Sequence, residues 1–147
     1  MNSRRTRQVS DVTVPLLASG DEIDCVGLAK VGSVSVKRRM LTTTLAAVLS
    51  GGSLIAVAQP RPLYFALTRQ RLLFFAPDPL GGKPGRQPVM DLPRQLLTVE
   101  PPSSALLGLG LKTVLSVAGG DQGLKLTFPP AYKAGARDLA SRLPQST

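Results

Sequence analysis

The chain contains no histidine and no tryptophan, and it has a single cysteine, Cys25. Histidine is the commonest general base near neutral pH and the commonest metal ligand, so its absence removes most acid–base and metal chemistry. Neither a Ser-His-Asp site nor a Cys-His site can be built, and one cysteine without histidine argues against a zinc site. We therefore expect a protein that is not an enzyme and that uses neither a metal nor a cofactor.

The single cysteine also bears on the cellular compartment. Cys25 cannot form an intramolecular disulfide, which favours a reducing, cytoplasmic setting. It lies in a run that alternates between apolar and polar residues, so we expect a buried structural thiol and not a nucleophile.

Aromatic residues are also scarce, at 4% of the chain, so the core must be built mainly from leucine, valine and alanine. Glycine and proline are abundant, with 14 and 13 copies, and both residues interrupt regular structure. At 147 residues the chain has room for one domain. The composition predicts many short elements joined by turns and argues against a long helical bundle.

Two hairpins are predicted in the second half of the chain. Leu63–Thr68 (LYFALT) and Arg71–Ala76 (RLLFFA) are apolar runs on either side of a two-residue polar break. Residues 77–88 (PDPLGGKPGRQP) are expected to form an exposed loop. Leu111–Val117 and Leu124–Phe128 alternate at period two around a glycine-rich turn and form the second hairpin.

Two further elements follow from local pattern. Glu22–Val36 predicts one long or bent strand. Pro129-Pro130 introduces a predicted C-terminal helix over Ala131–Leu143, and Pro144 ends it. Five residues at helical spacing would form its buried stripe: Tyr132, Ala136, Leu139, Ala140 and Leu143.

At Tyr64–Phe75 (YFALTRQRLLFF) the chain resembles bacterial PH-like domains of the pleckstrin-homology and GRAM type, which often carry an ALT-x-x-R-L-L hairpin. The order of elements that follows is similar as well, and the resemblance covers residues 62–143 and, in part, 16–30; residues 31–60 depart from it. The resemblance implies a mainly β fold, a bent seven-stranded β-roll capped by a C-terminal α-helix. It also implies a non-catalytic binding module.

The domain organisation follows from the same reasoning. Residues 1–10 are polar and basic, and we expect them to form a disordered tail. Residues 11–147 then form a single PH-like domain, of which 144–147 is a short tail.

Eighteen lysines and arginines against nine acidic residues give a net charge of +9, which favours polyanionic partners. By analogy with PH-like folds, whose loops at the open end of the roll contact ligands, the candidate ligand-binding residues are Arg69, Arg71, Lys83 and Arg86. They would meet an anionic headgroup or an acidic protein. The competing interpretation is an ordinary solvated turn.

The leading function is thus a non-catalytic adaptor that recognises a protein partner or an anionic membrane surface. It would be cytoplasmic, with peripheral membrane association and homo-oligomerisation both compatible with the sequence. Nucleic-acid binding is an alternative that the charge favours. Against it, the four phenylalanines and two tyrosines lie mostly in apolar strands and are not interleaved with arginine.

A second alternative is a protein anchored by a membrane span at residues 40–58 (MLTTTLAAVLSGGSLIAVA). This segment has no charge for 19 residues and follows three basic ones. Its threonine, serine and glycine content makes insertion marginal, so a buried or surface-lying segment is favoured.

Overall fold

The computed structural model describes residues 1–35, 60–118 and 122–145. Within these ranges the chain forms two α-helices, α1 (Ser3–Thr13) and α2 (Lys133–Arg142), and eight strands. The strands are β1 (Ile23–Ser35), β2 (Arg61–Thr68), β3 (Arg71–Pro77), β4 (Pro84–Pro93), β5 (Leu97–Val99), β6 (Ser103–Ala105), β7 (Gly110–Val117) and β8 (Gln122–Phe128). Residues 40–58, for which a membrane span is the alternative and a buried or surface-lying segment the favoured interpretation, lie outside the described residues. In the described part, no helix is long and apolar enough to cross a bilayer.

The described strands form an antiparallel sheet in the order β4-β3-β2-β1-β8-β7-β5, with the short β6 beside β7. The long strand β1 belongs to both halves of this sheet. Its residues 23–31 pair with β2, and residues 30–35 pair with β8. Alternate residues from both halves enter one buried cluster, so the sheet rolls around a common core.

The centre of that core is Phe65, whose ring lies 6.4 Å from the ring of Phe74 and 6.1 Å from that of Phe128. Helix α2 packs Ala136 and Leu139 against the same cluster. The prediction of a mainly β roll with a C-terminal helix is confirmed. Seven strands are expected and the described residues form eight. The additional strand is β6, which is only three residues long.

The N-terminal residues correct the expectation of a disordered tail at 1–10, because they form most of α1. The helix begins at an N-cap, where the Asn2 side chain accepts a hydrogen bond from the backbone N–H of Arg5 at 2.8 Å. Val9 is fully buried against a second apolar cluster on the outer face of the sheet, which contains Tyr64, Ala66, Leu73 and Phe75. Strands β2 and β3 are apolar on both faces, and α1 covers the outer one.

The loop expected at residues 77–88 is shorter than predicted, because β4 already begins at Pro84. Within the described ranges β4 pairs with β3 alone and forms an edge of the sheet. Proline lacks a backbone donor and is therefore tolerated on an edge strand. The expected hairpins, the long first strand and the terminal helix all lie where the sequence pattern predicts them.

Candidate functional site

Two of the predicted ligand-binding arginines are already held by carboxylates. Nη2 of Arg69 lies 2.8 Å from Oε2 of Glu22, and Nη1 of Arg71 lies 2.8 Å from Oδ2 of Asp91. Arg71 also donates a hydrogen bond to the backbone oxygen of Leu16. Both arginines line a hollow of about 600 Å³ beside the β2–β3 turn. Arg71 therefore joins β3, β4 and the segment after α1, and little of its charge is free for a ligand.

The other two predicted residues, Lys83 and Arg86, lie at the far end of the β3–β4 hairpin. Arg71 is opposite Pro93, whereas Pro77 is opposite Pro84, so the two pairs are separated by the length of β3. At about 3.3 Å per residue this is roughly 20 Å. Lys83 and Arg86 line a different hollow, of about 680 Å³. The four residues thus lie as two separate pairs and do not form one continuous ligand-binding surface.

A separate group of three cations lies on the outer face of the other half of the sheet. Lys30 of β1 and Lys112 of β7 are both opposite Thr127 of β8, and Lys125 is two residues before Thr127 on the same strand. Period-two alternation places all three lysines on one face, while the residues between them enter the core. We call Lys30, Lys112 and Lys125 the lysine face.

The lysine face is exposed. None of the three lysines is in an ion pair with another residue that the structure describes. Strands in a sheet are about 4.8 Å apart, so the backbones of Lys30 and Lys112 are roughly 10 Å apart. The three side chains line a shallow hollow of about 510 Å³. This face is therefore suited to attract an extended anionic surface.

An exposed apolar turn adjoins the lysine face. Leu106 is 50% exposed, Leu109 is 64% exposed, and Leu107 is fully exposed. Leu106 also lines the same hollow as the three lysines. We call Leu106, Leu107 and Leu109 the leucine turn.

The leucine turn has an unusual backbone. Leu106 and Leu107 have φ angles of 52° and 57°, in the left-handed region that leucine rarely adopts. Gly108 continues the turn at 89°. At Gly110 a Cβ would overlap the backbone oxygen of Phe128, so only glycine allows β7 to approach β8 this closely. Each leucine in this conformation lowers the stability of the fold by about 1–3 kcal/mol. The strained leucines nevertheless remain exposed to solvent.

The cysteine has no features of a nucleophile. Burial is the main cause that raises the pKa of the Cys25 thiol to about 12. The charges of Asp138 and Asp24 add to the rise, and those of Arg142 and Arg94 oppose it. The thiolate fraction at neutral pH is therefore negligible, as expected for a structural thiol. Within the described ranges, no three cysteine or carboxylate side chains lie together as a metal site would require.

Sequence reasoning did not identify either the lysine face or the leucine turn. The sequence does indicate that Lys125 is exposed, because it alternates with Leu124 and Leu126 in a predicted strand. Its convergence with Lys30 and Lys112 depends on the pairing of three strands. The leucines belong to an apolar run that predicts burial, and their exposure follows only from the turn geometry.

No protein-family model matches the chain, and no curated protein sequence does either. Solved structures do match. The apo structure of the activated truncation of Vav1 has a TM-score of 0.58 at 15% identity, covering 94% of this chain and 31% of that one. Vav1 bound to an allosteric inhibitor has a TM-score of 0.56 at 14% identity, covering 94% and 32%.

The fold is PH-like. The chain spans about a third of the length of the Vav1 chains that it matches, so the likeness concerns one module of a larger protein. At this identity it extends to the fold alone. The GRAM type and the bacterial source stay predictions.

Proposed function

We propose that the protein is a non-catalytic binding module that docks on an anionic membrane surface through the lysine face and the leucine turn. The observation that carries the proposal is the leucine turn itself. Three leucines are exposed in a turn with a strained backbone, and Leu106 of that turn shares a hollow with three lysines that form no ion pair in the described part of the chain.

The two features supply complementary contributions to membrane binding. A lysine close to an anionic leaflet contributes about 1 kcal/mol. Burial of a leucine side chain contributes about 1.5–3 kcal/mol. Either set alone gives marginal, reversible attachment, whereas stable attachment at a membrane generally needs two signals. Leu106 lines the same hollow as the three lysines, so a single orientation of the domain would engage both features together.

The shape of the apolar surface favours a bilayer over a folded protein. Exposed apolar patches mark either kind of partner. A turn with a fully exposed Leu107 at its tip is convex and narrow, and it can enter the interface between headgroups and acyl chains. Protein interfaces are usually built on a packed central patch, which a single turn does not provide.

The fold and the chemistry agree with a binding role. PH-like folds are usually non-catalytic binding modules. The chain lacks histidine, and burial raises the pKa of the Cys25 thiol, which disfavours a thiolate nucleophile at that position. Nucleic-acid binding has less support, because the phenylalanines that could stack on bases are buried: Phe65, Phe74, Phe75 and Phe128.

The proposal predicts that charge location, and not total charge, controls binding. The variant Lys30→Gln, Lys112→Gln, Lys125→Gln should bind phosphatidylserine-containing vesicles about 100-fold more weakly, since three contributions of about 1 kcal/mol are lost. Co-sedimentation at physiological salt measures the change. The matched control replaces three exposed cations elsewhere, Arg4, Arg7 and Arg137, by glutamine.

The control variant has the same net charge and should lose only a few-fold in vesicle affinity. Equal losses from both variants would indicate a diffuse charge effect and would contradict the proposal. A duplex DNA probe tests the alternative partner, because preferential binding of DNA by the unmodified protein would overturn the choice of a membrane.

A further inference from the structure

The first residues of β1 form the floor of a groove between the two helices. Five consecutive residues, 23–27, line a hollow of about 400 Å³ together with residues of α1 and α2. Successive side chains of a strand point to opposite faces of the sheet. Consecutive residues line one hollow where the edge of the strand is open, so peptide groups of residues 23–27 are expected to contribute to the floor of this groove.

This edge has no neighbouring strand in the part of the chain that the structure describes. On one side, residues 23–31 pair with β2. On the other side, β8 begins to pair only at Lys30, which is opposite Thr127. Every second residue of such an edge directs its N–H and C=O groups outward. Between Ile23 and Cys25 the register shifts, so Asp24 lies outside the regular ladder.

The walls of the groove leave room for another chain. Thr6 and Ser10 are one turn apart on α1, and Ala134 and Gly135 belong to α2. All four side chains are small. Gly135 also lets α2 lie close to the core, since a Cβ there would be 3.2 Å from the ring of Phe65. Small side chains thus leave space at these four positions, whereas the larger Met1, Tyr132 and Arg142 line the rest of the groove.

The carboxylates at the groove are paired. Oδ1 of Asp138 lies 3.5 Å from Nη1 of Arg142, and Asp24 is paired with Arg94. The N-terminal ammonium of Met1, which also lines the groove, donates a hydrogen bond to the backbone oxygen of Ala131 at 3.0 Å. A cationic ligand would therefore find no unpaired carboxylate among the residues that line the groove. This distinguishes the groove from the lysine face, with which it shares no residue.

We propose that this groove binds an extended peptide segment of a partner protein, which adds as a strand to residues 23–27 of β1. An outward-facing ladder of peptide groups is complemented by another backbone in the extended conformation. The lengths agree: five strand residues span about 16 Å, and the α2 wall from Tyr132 to Arg142 rises about 15 Å. A helix, with a diameter of about 10–12 Å, presents no free backbone groups to such an edge.

The test uses a displayed library of random linear peptides, selected on the unmodified protein. Ala134→Trp places a large side chain into the groove from an exposed wall position, and it should weaken the selected peptides by about tenfold or more. Ala118→Trp is the matched control, because Ala118 is also exposed and does not line the groove. The control should bind the peptides as the unmodified protein does.

Backbone hydrogen exchange provides a readout that needs no variant. Bound peptide should slow the exchange of amides within residues 23–27, because the new strand occupies their outward-facing N–H groups. Failure of the library to yield a binder would overturn the proposal. Peptides that bind Ala134→Trp equally well, or that protect amides elsewhere, would overturn it too. These outcomes leave the membrane proposal untouched, because vesicle binding by the lysine face is measured separately.

Discussion

A variant that lacks residues 1–13 will unfold at a markedly lower urea concentration than the full chain. Removal of α1 uncovers the outer apolar cluster, in which Tyr64, Ala66, Leu73 and Phe75 are buried. A large apolar side chain loses about 1.5–3 kcal/mol when it passes from full burial to full exposure. Partial exposure of three large side chains should lower the free energy of unfolding by about 3 kcal/mol or more.

The control for this deletion keeps α1 and removes charge from it. Arg4 and Arg7 are exposed, so the variant Arg4→Gln, Arg7→Gln should keep the urea midpoint within about 0.5 kcal/mol of the original stability. An unchanged midpoint after the deletion would mean that α1 does not stabilise the sheet, as a disordered tail would not.

The second large effect is expected at the centre of the main core. Phe65 is fully buried and contacts the rings of Phe74 and Phe128, so it links β2, β3 and β8. Phe65→Ala should lower the free energy of unfolding by about 3–5 kcal/mol through lost transfer energy and the cavity that remains. Urea denaturation followed by circular dichroism measures the change.

Leu80→Ala is the corresponding control on the surface. Leu80 is 97% exposed in the β3–β4 loop, so its truncation should change stability by less than about 0.5 kcal/mol. Comparable losses at Phe65 and Leu80 would be incompatible with a core centred on the phenylalanine cluster.

Much of the fold could be predicted because local pattern and tertiary burial agree in the β elements. In Leu124–Phe128 the apolar residues alternate with polar ones, and the observed strand buries the apolar set. The C-terminal helix begins after two prolines and buries Ala136 and Leu139, as its spacing predicts. These signals are local, so the sequence alone carries them.

Helix α1 was missed because its stabilising partner is distant in sequence. Nine of its eleven residues are polar or charged, and only Val9, with Val12 and Leu16 at helical spacing, indicates an apolar stripe. Such a stripe stabilises a helix only if an uncovered apolar surface of the sheet is available for it to pack against. The outer face of β2 and β3 is such a surface, because both strands are apolar on each side.

The candidate site was missed for a related reason. Lys30 and Lys125 are adjacent only through the pairing of β1 with β8, which no local pattern specifies. Conversely, no local pattern indicates an acidic partner for Arg69 or Arg71, yet the residue before β1 and strand β4 supply one to each. The left-handed leucines were unpredictable in principle, because leucine disfavours that conformation.

Tryptophan fluorescence at the leucine turn tests the central claim most directly. The chain has no tryptophan, so Leu107→Trp introduces a single reporter at the tip of the turn. Leu80→Trp, in the equally exposed β3–β4 loop, serves as the matched control. With phosphatidylserine-containing vesicles, the emission of Leu107→Trp should shift to shorter wavelength and be quenched by lipids brominated in their acyl chains, while that of Leu80→Trp stays unchanged. Emission of Leu107→Trp that is the same with and without vesicles would contradict the account.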